Sequence, residues 1–508
     1  MAKRAGLLLR FAALGAIACA LSGCVSLAPG EKTPEILSTV PDALDVEGAG
    51  EPYSPDSWWT AFEDPILDAL VEEVLENNLD VAQSVARLEQ VRAQARLAQS
   101  RQFPSVDASF SASESSTPIA GSAFGEFGGA GLSRIENETY SPSVSISYEL
   151  DLFARNRNDA AAARRDAIAS AYDLQSVRLA SAAEVISTYF EIVNARRQIE
   201  LVVLSTDVLE DRSDRTETQF ERGLADSFEL YQIRQQLRAT QASLPQLESG
   251  LSDAENRLSL LLAKYPGDID EQLARPLLPR LVFEPVPAGL PSQLLARRPD
   301  VAAAWARLDA ARLRIGARRA ERFPQINLSG ALGGQGDDIS GAFQFADNWT
   351  RSLAANVVAP IFNAGRITAN IRTARAQYDE AAATYASTVL RAFQEVDSAA
   401  SDYEDQRRRY RIVTTQLTEA ELSLDLQKRR FESGVGTYVA YLDALTTVYQ
   451  VQADLSAAAQ ATALSRLNVH RALAGDWAPT IQPVKPEMVP TKSLSARTTA
   501  TQSETPDE

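Results

Sequence analysis

Ser143-Val144-Ser145-Ile146-Ser147-Tyr148-Glu149-Leu150-Asp151-Leu152 alternates strictly between polar and apolar side chains. A period of two puts every apolar residue on one face, so the stretch predicts a β-strand with one apolar and one wet face. Three further runs behave alike. In 105–112, Val106, Ala108, Phe110 and Ala112 share a face; in 325–332, Ile326, Leu328 and Leu332; in 352–361, Leu353, Ala355, Val357, Ala359 and Ile361. Each predicted run has about 8–10 residues, near what a tilted strand needs to cross a bilayer. A sheet on a soluble domain with one solvated face would read the same way. No later segment offers the roughly 20 apolar residues of a membrane helix, so any crossing must use strands.

Four strands cannot close a membrane barrel, whose smallest form has eight, and open sheet edges are not tolerated in lipid. Pooling strands between copies answers both constraints. Two copies give eight strands and a filled interior; three give twelve and room for water.

The strands sit between long helical stretches. Residues 64–102 and 300–322 are predicted as helices that end at Phe103-Pro104 and Phe323-Pro324, because the residue before proline avoids the helical region. Stretches 156–222 and 366–433 follow the strand pairs, broken by Gly223 and by Gly434–Gly436. A return helix of about 40 residues then closes each half. About 67 residues at 1.5 Å each span roughly 100 Å, and such a helix needs neighbours along its whole length.

The order of elements repeats. Asn78-Leu79-Asp80-Val81 aligns with Arg298-Pro299-Asp300-Val301, and Phe103-Pro104 with Phe323-Pro324, at one offset of 220 residues. Phe220-Glu221-Arg222-Gly223 aligns with Phe431-Glu432-Ser433-Gly434 at an offset of 211. These constant offsets indicate a tandem duplication of one structural unit. The expected organisation is a signal at 1–23, an extended lipidated segment at 24–63, and a first repeat at 64–263. A Pro-rich linker or equatorial segment follows at 264–292, then a second repeat at 293–475 and a disordered tail at 476–508.

At the N-terminus, Lys3, Arg4 and Arg10 flank an apolar run that closes on Leu21-Ser22-Gly23-Cys24. This resembles a bacterial lipoprotein signal, which implies cleavage before Cys24 and acylation of that residue. Val25 follows in place of an aspartate, which favours the outer membrane. Cys19 leaves with the signal and Cys24 carries lipid, so no thiol remains for disulfides, metal or catalysis. His470 is the one histidine in the chain. No cofactor, metal site or enzymatic activity is expected. The formal net charge of −17 argues against a nucleic-acid partner.

Trp58-Trp59-Thr60-Ala61-Phe62-Glu63-Asp64-Pro65, Arg297-Arg298-Pro299-Asp300-Val301, Phe431-Glu432-Ser433-Gly434-Val435 and Leu442-Asp443-Ala444 occur in that order. Together with the duplication, they resemble the outer-membrane factor (TolC-like) family, and within it the efflux lipoproteins of the NodT type. The resemblance implies a mixed fold: a homotrimer whose 12-stranded outer-membrane β-barrel, four strands per chain, continues as an α-helical periplasmic barrel of coiled-coil hairpins. It implies a passive efflux duct that docks to a periplasmic adaptor protein and an inner-membrane pump, expected to be of the resistance-nodulation-division class. It places adaptor contacts at the helix tips, around Gly223, Gly434, Val435 and Gly436.

Two departures stand out. Trp305 occupies a position where the family often has an acidic residue, which predicts local repacking. Val439 stands where leucine is more usual.

Val439 and Asp443 are four apart and share a helix face. With Arg430 as a tether, they match the family's periplasmic gate. At the 211 offset their counterparts are Phe228, Gln232 and Gln219, so the first hairpin lacks both charges. The Gly-rich loops at 114–140 and 334–350 are expected to face the exterior. Other readings are an export duct for type I protein secretion, a coiled-coil lipoprotein tethering the envelope, and a secreted hydrolase.

Overall fold

The computed structural model describes residues 26–30, 58–118, 134–267, 298–344 and 346–473. Cys24, Arg297, the loop 119–133, most of the 264–292 segment and the 476–508 tail lie outside the described residues.

The predicted 64–102 helix is two helices, α1 (Pro65–Asn77) and α2 (Leu79–Ser100). The break falls at Asn78. Its side-chain oxygen accepts from the amides of Asp80 and Val81, capping α2, while its amide donates to the Leu261 carbonyl at 3.0 Å. Asparagine competes well for these orphan donors, so a new helix starts where periodicity alone ran on.

Strands β1 (Ser105–Pro118) and β2 (Arg134–Leu150) follow. Next come the long α3 (Arg155–Glu221) and its return α4 (Ser227–Leu261). The second half repeats the order with α5 (Pro299–Ala320), β3 (Gln325–Gly334), a short α6 (Ile339–Ala342), β4 (Trp349–Val358), α7 (Arg366–Glu432) and α8 (Tyr438–Ala472). α3 and α7 have 67 residues each, as expected, and their returns have 35 where about 40 were expected. The duplication shows in backbone detail. Ala154 (φ 57°) and Gly365 (φ 84°) start the long helices in the left-handed region, and Gly223 (φ 72°) and Gly434 (φ 77°) end them there.

The sheet runs β1-β2-β3-β4, antiparallel throughout. Its register fixes the faces. Val106, Ile146, Gly330 and Leu353 form one cross-strand row, and Ala108, Val144, Leu332 and Arg351 the next. On the opposite face run Ser105, Ser147, Ser329 and Ala354, then Asp107, Ser145, Ala331 and Ser352. Hydroxyls meet across it, Ser105 with Ser147 at 2.8 Å and Ser109 with Ser143 at 2.9 Å.

The first strand pair is longer than predicted, 14 and 17 residues. Beyond Ala112 and Tyr140 the apolar face turns charged, with Glu114 opposite Glu138. Phe110, Tyr140, Phe343 and Trp349 mark that boundary. At the helical end Ile361 and Phe362 are almost fully exposed, 97% and 89%. Two aromatic or bulky belts flanking an apolar band are the signature of a membrane-spanning strand face. Among the described residues, the outer edges of β1 and β4 have no partner. A coiled-coil tether would contain no such sheet.

The core lies where the helices meet. α3 packs against α2, α4, α5 and α8, and α7 against α5 and α8. The Trp58–Phe62 turn inserts Trp58, Trp59 and Phe62 among Leu67, Ile186, Tyr189, Phe190, Leu258 and Leu467. Asp64 caps α1 through the Ile66 and Leu67 amides and accepts the Tyr189 hydroxyl at 2.7 Å; burial, with this bond adding to it, raises the phenol's pKa. A ladder of ion pairs joins Asp159, Asp166 and Asp173, seven apart on α3, to Arg318, Arg314 and Arg307 of α5.

Candidate functional site

Each hairpin ends in the same turn. The Gly223 amide donates to the Phe220 carbonyl, and Leu224 to Gln219; in the second hairpin Gly434 donates to Phe431, and Val435 to Arg430. Asp226 then caps α4 through Glu229, and Thr437 caps α8 through Ala440. A left-handed glycine closing a helix is the economical way to satisfy its last carbonyls. Gly436 is required for a different reason. A β-carbon there would lie 2.9 Å from the Arg430 β-carbon and 3.0 Å from the Phe431 amide. The turns push equivalent apolar residues into solvent, Leu224 at 76% and Val435 at 72% exposure, with Phe228 and Tyr231 beside them.

The expected gate residues sit at the start of α8, but their partners differ from the expectation. Asp443 is exposed and forms an ion pair with Arg212 of α3, in the first hairpin. Arg430 contributes its main-chain carbonyl to Val435 and Gly436, while its side chain makes no ion pair among the described residues. Val439 is half-buried one turn before Asp443.

A second tie lies alongside. The Arg215 guanidinium sits 4.0 Å from the centre of the Tyr438 ring, and the hydrogen bond to Asp211 raises the Tyr438 pKa, with burial adding to it. Tyr438 also packs on Phe431 and Tyr441. The two hairpins of one chain are thus joined at the tip by Asp211, Arg212 and Arg215 on one side and Tyr438 and Asp443 on the other. Positions 219, 228 and 232 do not include these groups, because the pairing charges lie about one to two turns earlier on α3. No local signal marks them, because only the packing of α3 against α8 brings Arg212 to Asp443.

At the equator, α5 begins at Pro299 with Asp300 in its first turn, as helix-start chemistry predicts. Arg298 does more. It bonds Asp300, reaches Glu395 of α7 at 2.6 Å and donates to the Ala472 carbonyl at the end of α8 at 2.9 Å. Burial opposes its charge, but the two carboxylates outweigh that and hold its pKa above the usual value. Trp305 packs on Tyr385, their ring centres 5.2 Å apart.

Near the barrel, residues 26–30 are pinned against the helices. Ser26 bonds Asn158 at 3.1 Å, and Arg319 and Arg312 donate to the carbonyls of Leu27 and Pro29. Gly316 makes this possible, since a β-carbon there would lie 2.7 Å from the Ala28 amide. The segment that follows Cys24 in sequence is therefore docked beside the first turns of α3, just below the sheet.

A family model described as outer membrane efflux protein matches residues 70–264 and 290–475, one match per repeat. The pyoverdine export outer membrane protein OpmQ of Pseudomonas putida is 30% identical over 428 residues, covering 83% of this chain and 89% of that protein. The probable outer membrane lipoprotein SilC of Salmonella typhimurium is 27% identical over 470 residues, covering 90% of this chain and 96% of its own. Among solved structures, the outer-membrane channel OprN superposes with a TM-score of 0.78 at 26% identity, over 90% of this chain and 100% of that one.

Proposed function

Because this chain belongs to the outer membrane efflux protein family, and is an outer-membrane channel component of an efflux system, we propose that three copies close one 12-stranded barrel over a shared helical tunnel. The observation that carries this is the open sheet. Among the described residues it has two unpaired edges, one apolar face and one polar face rich in hydroxyls, and only closure with other copies satisfies all three. Twelve strands leave a wet lumen, and the hydroxyl face then lines it.

The duct catalyses nothing; a partner pump in the inner membrane, of the resistance-nodulation-division class, supplies the energy. The exposed Leu224 and Val435 at equivalent turns are the contact for the periplasmic adaptor. The cargo is small solutes, by analogy with the pyoverdine exported by the P. putida relative. Cys24 carries the lipid anchor. The docked segment at 26–30 supports this, because it holds the anchor's stem beside the barrel end. The periplasmic gate consists of the Val439 and Asp443 rings, held closed by the Arg212 tie.

The test replaces Leu224 and Val435 with Asp. Cells carrying this variant should lose export while the purified protein keeps the trimer mass and its conductance in planar bilayers. Export at the native level would reject the tip as the docking site, and a monomer with intact β signal would reject the barrel.

A further inference from the structure

Arg351 lies on the wrong face for a charge. It shares the apolar face with Leu353 and Val357, directly cross-strand from Leu332. A lipid-facing arginine is costly at the bilayer midplane and tolerated near the interface. β4 starts at its outer end with Trp349 and runs down towards α7, so Arg351 sits one step below the outer aromatic belt. Its guanidinium is 5.4 Å from the centre of the Trp349 ring, and it forms no ion pair among the described residues.

Beside it is a groove of about 540 Å³, walled by Ala108, Pro142, Val144, Leu332, Phe343 and Trp349. Val144 and Leu332 are the two residues next to Arg351 in its cross-strand row. The groove opens on the lipid side, because Phe343 stacks on Phe110 of the apolar face at 6.2 Å and 11°. Its rim is fixed rather than loose. Asp338 caps α6 through Gly341, Asn348 donates to the Gly341 carbonyl at 3.0 Å, and the Tyr140 and Gly336 main chains bond each other. The nearer carboxylates are Asp337, Asp338 and Asp347 of the β3–β4 connection; Asp338 is held by the Gly341 amide and the Ser340 hydroxyl, and Glu138 of the outer rim is six residues along β2 from Val144, about 20 Å.

We propose that this groove and Arg351 form a binding site for a phosphorylated lipid of the outer leaflet. One acyl chain lies in the groove and a headgroup phosphate sits on the guanidinium. Arginine's planar donors suit a phosphate, and the stem can reach up to the headgroup level from just below it. The site lies within one subunit's four strands, so a trimer holds three. The inference rests on the barrel reading for which face meets lipid.

The experiment is native mass spectrometry of the intact trimer in neutral detergent. It is titrated with bis-phosphorylated lipid A and, separately, with the same lipid stripped of its phosphates. The wild type should bind the phosphorylated form about fivefold more tightly, the ratio that corresponds to ~1 kcal/mol for one arginine at an anionic surface. Arg351→Gln should abolish the preference, and Ala108→Trp, which fills the groove, should remove binding of both forms. Ser352→Gln, on the lumen face, should change neither. Equal binding of the two forms by wild type overturns the phosphate contact, and unchanged binding by Ala108→Trp overturns the groove. The wild-type comparison decides the matter even if a variant fails to assemble. Trimer mass and conductance are read on the same samples, so failure of the barrel reading would show separately.

Discussion

Breaking the tip tie should open the duct by a calculable amount. Arg212 is 19% and Asp443 52% exposed, so the pair is partly screened and each copy is worth about 0.5–1 kcal/mol. Three copies act on one iris, so removing all three shifts the closed-to-open balance by about 1.5–3 kcal/mol, a factor on the order of 10–100. Asp443→Ala and Arg212→Ala, singly or together, should raise open probability in planar bilayers by the same factor. The tie is shared, so the double variant adds little to either single one. Exchanging the charges, Arg212→Asp with Asp443→Arg, should restore most of the closure. Raising salt to 1 M should weaken the wild-type closure, because half-exposed pairs are screened. Cells carrying the open variants should become sensitive to vancomycin, which is otherwise excluded. Arg430→Ala should have little effect, since its side chain pairs with nothing among the described residues. An Arg430→Ala channel that opens as far as Asp443→Ala would refute the assignment of the tie, as would the same opening from Gln219→Ala with Gln232→Ala.

Other outcomes follow from the equator and the termini. His470 is buried against Trp58, their ring centres 5.6 Å apart; burial and the nearby Arg466 push its pKa down to about 3. The unfolded chain therefore binds this proton first, and stability is lost as pH falls from about 6.5 towards 3. Between pH 7 and 4.5 the loss from each chain should be roughly 2–3 kcal/mol, and His470→Phe should flatten that part of the thermal-melt profile relative to wild type. Arg298→Ala removes the link between α5, α7 and α8 and should cost about 3 kcal/mol in denaturant unfolding, the lower end for breaking a buried ion pair; Glu395→Gln, at a half-exposed partner, should cost less. Gly434→Ala forces a side chain into the left-handed region at φ 77° and should cost about 1 kcal/mol, detectable as fraying of the α7 end in hydrogen exchange. Cys24→Ser should abolish metabolic labelling with palmitate and leave the precursor uncleaved; labelling that persists would exclude Cys24 as the lipid site.

The sequence by itself determined the strand faces, the two 67-residue helices, the internal repeat and the glycine turns. Each is written in local periodicity or in a residue whose backbone freedom a turn demands, so no distant partner is needed to read it. The outer ends of β1 and β2 were not legible. Residues 113–118 and 134–141 are mostly hydroxyl, amide and acidic, and pairing with the neighbouring strand holds them extended without any apolar face to show a period. The break at Asn78 was hidden for a similar reason: the apolar pattern continues through it, and the Leu261 carbonyl that fixes it is 183 residues away. The tip tie was beyond reach altogether. Charges are common on long helices, and nothing local distinguishes Arg212 from its neighbours or marks it as the partner of a residue 231 positions on. Only the packing of α3 against α8 brings them together, so tertiary structure decided which charges hold the tip, while the sequence had already fixed where the tip would be.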